Sequence, residues 1–162
     1  MLLLLSTFLI VTGGSLLAGA QTCPDLFVEI EGSCYSFRSD YLATWDVSGY
    51  ICSNLSTPST LAMVKSADTH RGFYEYIMTY GLIGSFWLGG TDLQYEDDWH
   101  WIDDTRIQRG TPFWAIDSGV LGWSQSPDGK TDENCLALTE EKLYYFDDSP
   151  CETYNHPVCQ MI

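Results

Sequence analysis

Residues 123–159 read WSQSPDGKTDENCLALTEEKLYYFDDSPCETYNHPVC. Acidic side chains at Asp128, Glu133, Asp147 and Asp148 stand around Pro127, and Cys135 and Cys151 bracket the second half. A hard cation takes about six to eight oxygen ligands, so carboxylates gathered on loops between cysteines have the composition that Ca²⁺ requires. A lone Asp-Asp pair would read as a solvated loop. Four acids in order around a proline point to a site.

The surrounding chain sets the compartment. The first twenty residues, MLLLLSTFLIVTGGSLLAGA, are uncharged and apolar and close on Ala18-Gly19-Ala20, which predicts a signal peptide over 1–20. Residues 21–162 then form a single domain, long enough for a core and small enough to gain from cross-links. All six cysteines (Cys23, Cys34, Cys52, Cys135, Cys151 and Cys159) lie in it, an even number that predicts three disulfides without choosing among the pairings. No Cys-x-x-Cys pair occurs and His70, His100 and His156 are scattered, which argues against structural zinc. Asn54-Leu55-Ser56 is a glycosylation sequon.

Seven basic residues against 22 acidic ones give a formal net charge of −15, which disfavours nucleic acid and anionic membranes as partners. The acids cluster at 92–104 and 128–152, near the candidate site.

The periodicity predicts a mixed α+β chain. Phe27–Ile30 and Cys34–Phe37 flank a Gly32 turn as a hairpin. Residues 41–55 carry Leu42, Trp45, Tyr50 and Cys52 near helical spacing, with Asp40 as cap. Leu61–Val64 reads as a strand, and a second helix begins at Asp68, with Phe73, Ile77 and Tyr80 on one face and Gly81 as its stop. Ser85–Leu88, Leu136–Leu138, Leu143–Phe146 and Pro157–Cys159 read as strands. Residues 102–134 show little periodicity, and a loop of that length is commonly functional.

These landmarks resemble a known family. Phe86-Trp87-Leu88-Gly89-Gly90 looks like the core Trp-x-Gly strand of the C-type lectin-like domain, and Trp99-His100-Trp101 resembles its Trp-x-Trp signature. Cys135, Cys151 and Cys159 fall where the family has its last three cysteines. The resemblance spans Cys23 to Cys159. It implies two helices flanking small antiparallel sheets, a long irregular loop region, and disulfides Cys23–Cys34, Cys52–Cys159 and Cys135–Cys151, the long form of the domain. Trp87, Trp99 and Trp101 are expected in the core.

The resemblance also implies a calcium-dependent carbohydrate-recognition site. Ser126-Pro127-Asp128 matches the x-Pro-Asp loop, with the proline expected cis. Glu133 matches the intermediate Glu, and Phe146-Asp147-Asp148 stands where Trp-Asn-Asp is usual. Sugar and metal would share Ser126, Asp128, Glu133, Asp147 and Asp148. Ser126 replaces a longer Glu or Gln, and ionised Asp147 accepts hydrogen bonds but cannot donate them. Ser126 is therefore a weak ligand. Asp128 fits the galactose-type pattern, while Trp123 or Tyr144 could stack on a sugar or pack in the core. Asp92, Glu96 and Asn134 match part of a second calcium site whose remaining partner falls on Gly129.

The implied function is a secreted lectin that recognises glycans on microbial or cell surfaces, as in innate-immune recognition or agglutination, with homo-oligomers raising avidity. A lectin-like scaffold for a protein or other non-sugar ligand is the alternative. Catalysis is not expected: no Gly-x-Ser-x-Gly occurs, and no His pairs recognisably with a nucleophile.

Overall fold

A computed structural model describes residues 23–56, 58–110, 112–119 and 122–162; the expected leader over 1–20 lies outside them. The N-terminal hairpin forms where alternation predicts it. Strands β1 (Val28–Ile30) and β2 (Ser33–Phe37) pair antiparallel around Gly32, whose φ of 75° suits the turn.

Helix α1 covers Trp45–Leu55, four residues later than the periodicity predicted, and Asp40 does not cap it. Ala43 exchanges backbone hydrogen bonds with Asn155 at 3.1 Å each way, which keeps the chain before Trp45 out of the helix. Leu42 and Tyr50 consequently face solvent, while Cys52 is buried. Strand β3 (Ser59–Leu61) leads to helix α2 (Ala67–Tyr80). Ser66 Oγ accepts from the Thr69 N–H at 3.0 Å as N-cap, and Gly81 closes the helix at φ 60°. Phe73 and Ile77 enter the core, but Tyr80 is exposed beside Tyr76.

The remaining strands are β4 (Phe86–Thr91), β5 (His100–Trp101), β6 (Ile116–Gly119), β7 (Gly122–Gln125), β8 (Cys135–Leu138), β9 (Phe146–Ser149) and β10 (His156–Met161). The main sheet runs β1-β2-β10-β4-β8-β9, with β3 on β10 and β5 on β4; β10 and β4 pair parallel. The expected strand Leu143–Phe146 does not form. Leu143 and Tyr144 adopt φ of 56° and 61°, a turn that buries the Tyr144 ring, and the strand starts at Phe146.

The long 102–134 segment is not wholly irregular, because β6 and β7 form a separate hairpin within it. Residues 113–115 pin the segment to β9: the Phe146 N–H donates to Phe113 O at 2.8 Å, and the Ala115 N–H to Phe146 O at 2.9 Å. The Ser126 N–H then donates to Ala115 O at 3.0 Å, which sets the next loop directly beside β9.

Trp87, Trp99, Trp101 and Trp114 are buried with Phe73, Phe86 and Phe146. Disulfides join Cys23–Cys34, Cys52–Cys159 and Cys135–Cys151, the pairings implied by the resemblance. Cys52–Cys159 spans 107 residues and ties α1 to β10; a closed loop of that length is worth about 4–5 kcal/mol in the chain-entropy model.

Candidate metal centre

The Ser126–Pro127 peptide is cis, and the following turn, Lys130–Asp132, delivers Glu133 back toward β9. Asp148 sits in the floor with 3% of its surface exposed. Its Oδ2 accepts the backbone N–H groups of Asp128 at 2.8 Å and Gly129 at 2.6 Å. Its Oδ1 is buried without a hydrogen-bond partner. Asp128, Glu133 and Asp148 each offer one oxygen, and these oxygens lie within 4.8 Å of one another.

That spacing fits a hard cation. At Ca–O distances of about 2.3–2.6 Å, ligands on opposite sides of one ion stand roughly 5 Å apart. The donors are all carboxylates, and the group contains no His or Cys. The electrostatics agree. Burial, with the charges of Asp148, Asp147 and Asp128 added, pushes Glu133 above its ordinary value. Burial also raises Asp148, outweighing the amide hydrogen bonds that favour its ionised form. Negative charge is thus held together at a cost that a cation would offset.

Asp147 has hydroxyl partners. Its oxygens accept from Ser126 Oγ at 2.5 Å and Thr139 Oγ1 at 3.2 Å, and it lines a cavity together with Asp128, Glu133 and Asp148. Ser126 is 4% exposed, so its hydroxyl is used within the protein. Of the five residues named from sequence, Asp128, Glu133 and Asp148 bring oxygens together as a carboxylate triad, and Ser126 hydrogen-bonds Asp147, whose charge still bears on Glu133 and Asp148.

The second set is only partly assembled. Asp92 is buried; its Oδ2 accepts the Asp97 N–H at 2.9 Å and its Oδ1 lacks a partner. Burial, with the charges of Glu96 and Asp97, raises it to about 6. Asn134 turns its amide nitrogen to Thr131 O at 2.9 Å. A cavity of about 260 Å³ joins the two acidic sets and is lined by Asp92, Glu96, Asp128, Glu133, Asp148 and Arg109. Sequence reasoning missed Arg109, one of only seven basic residues in the chain. Trp123 is 79% exposed on β7, three residues before Ser126, whereas Tyr144 is buried and is not available to a ligand.

Comparison with known proteins bears on what this arrangement is. The family model described as the Lectin C-type domain matches residues 41–161. A "C-type lectin mannose-binding isoform" from Notechis scutatus scutatus is 27% identical over 163 residues, covering 98% of this chain and 96% of its own. The mouse scavenger receptor C-type lectin carbohydrate-recognition domain matches with a TM-score of 0.66 at 21% identity, over 85% of this chain and 94% of that one. A calcium-independent type II antifreeze protein matches with a TM-score of 0.66 at 19% identity, over 86% and 93%.

Proposed function

The chain belongs to the C-type lectin domain family, and from that premise we propose that it is a secreted, calcium-dependent carbohydrate-binding module for glycans on microbial or cell surfaces. The observation that carries this reading is the carboxylate triad, with the unpartnered Asp148 Oδ1 beside it. A bound Ca²⁺ would be held by Asp128, Glu133 and Asp148 and would offer open coordination positions to vicinal sugar hydroxyls.

The protein supplies the rest by placement. Asp148 gathers the Asp128 and Gly129 amides, which orders the loop. Asp147 presents acceptors and no donors, so it favours sugar hydroxyls that donate. With Asp128 in the loop, this supports galactose-type ligands. Exposed Trp123, on β7 three residues before Ser126, offers an apolar face to a ligand. Asp92, Glu96 and Asn134 are proposed as a second, weaker cation set. Asn54 is exposed on α1, its side-chain nitrogen donating to Tyr50 O at 2.8 Å, and is proposed to carry a glycan in a secreted protein; homo-oligomers would multiply a low-affinity site. No residue here is assigned a catalytic role.

The test is a glycan array read with calcium and with EDTA. Signal lost on chelation and restored by calcium is expected; signal unchanged by EDTA contradicts the mechanism.

One observation favours a second reading. Ser126 and Asp147 satisfy each other, leaving fewer groups for a sugar. The same fold would then present its loops to a protein or other non-sugar ligand. One protein with this fold is a calcium-independent type II antifreeze protein. Calcium binding with a silent glycan array would support this reading over the first.

A further inference from the structure

We propose that Arg109 is a positioning residue for the triad, a built-in cationic bridge that clamps the cis-proline loop to the 92–98 turn before any metal arrives. The proposal rests on the calcium reading and says how that site keeps its shape.

One guanidinium reaches two segments. Arg109 Nη1 donates to Asp97 Oδ1 at 2.6 Å, and Nη2 donates to Pro127 O at 3.0 Å. From Asp97 the path continues through its backbone N–H to buried Asp92. From Pro127 it continues through the Asp128 N–H to Asp148. A single hydrogen-bonded line thus links the floors of the two acidic sets. Its base is anchored as well: the Ile107 N–H donates to Trp99 O at 2.8 Å, and Trp114 Nε1 donates to Gln108 O at 3.0 Å. The core therefore fixes the backbone that presents Arg109.

A positive group beside a cation site lowers cation affinity by repulsion. Asp128, Glu133 and Asp148 also repel one another, and that repulsion would splay the loop in calcium-free protein. The bridge opposes that motion. Lysine offers a point charge instead of a planar fork, so it would serve two acceptors poorly. Arg109 and Asp97 are 46% and 62% exposed, which makes the effect modest.

The two possible roles of Arg109 predict opposite signs. If Arg109 only repels, Arg109→Met tightens calcium binding. If it positions the loop, Arg109→Met weakens binding by about two- to fivefold, the size expected from losing an exposed charge-assisted contact. It should also speed amide exchange at Asp128 and Gly129 by about the same factor in calcium-free protein, with β4 amides unchanged. Arg109→Lys should restore less than half of the loss.

Calorimetry with calcium and hydrogen exchange without it form the experiment. Unchanged exchange at Asp128 and Gly129, or tighter calcium binding by Arg109→Met, overturns the bridge. If the parent protein binds no calcium, the calcium reading fails while the exchange measurement still decides the bridge.

Discussion

Asp148→Asn should separate folding from metal binding. The amide nearly preserves the size of the carboxylate and keeps an oxygen that can accept the Asp128 and Gly129 N–H groups now held at 2.8 and 2.6 Å. It removes a buried charge whose Oδ1 has no partner. Calcium-free stability should therefore hold or rise. With a dissociation constant of about 10⁻⁴–10⁻³ M, about 10 mM calcium stabilises the parent protein by roughly 1.4–2.7 kcal/mol. For a domain of this size that is a rise in thermal midpoint of about 4–10 °C. In Asp148→Asn the rise should fall below about 1 °C, because the ion loses a charged ligand on the floor of the site. Asp148→Ala should lose the calcium rise and also about 1–3 kcal/mol of calcium-free stability, since two amides lose their acceptor. Circular dichroism melts with calcium and with EDTA read all of these quantities. A full calcium shift retained in Asp148→Asn would refute the triad.

Other outcomes follow from the same geometry. At Gly129 a Cβ would overlap the Glu133 side chain, while its φ of −81° tolerates alanine; Gly129→Ala should displace that carboxylate and weaken calcium by about tenfold, and unchanged calorimetric affinity would sink this. The pH dependence has a definite sign. Burial lifts Asp92 to about 6 and raises Glu133 and Asp148. Acids raised on folding bind more protons in the native state, so their contribution makes calcium-free stability fall as pH rises from about 4 to 7. Calcium competes with those protons, so its stabilisation should grow over the same interval; an equal increment at pH 5 and pH 7 argues against carboxylate ligation. Trp123→Ala should move the melting midpoint little, because the side chain is exposed, yet weaken glycan binding; an unchanged array signal removes Trp123 from the ligand face.

What could be read in advance was what carries its constraint locally. The tryptophans of 86–101 and the six cysteines imply a core and a set of braces wherever the strands begin, and the disulfides fell as the resemblance implied. Boundaries depended on distant partners. Pairing of Ala43 with Asn155 delays α1, and no signal near residue 43 announces it. Leu143–Phe146 has the composition of a strand, but burying the Tyr144 ring requires a left-handed turn there. The site was less legible in detail. Four acids in sequence order suggested one ligand set; the folded chain adds hydroxyl partners for Asp147 at Ser126 and Thr139, while its charge still acts on Glu133 and Asp148. Arg109 lay in an aperiodic segment, and only the folded chain brings it between Asp97 and Pro127.

The most direct test of the account is calorimetric titration of the protein with calcium, then of the calcium-loaded protein with galactose and mannose. The account predicts saturable calcium binding with a dissociation constant on the order of 10⁻⁴–10⁻³ M, and galactose binding that appears only once calcium is present. No saturable calcium binding at neutral pH, or sugar binding of equal strength in EDTA, would contradict it.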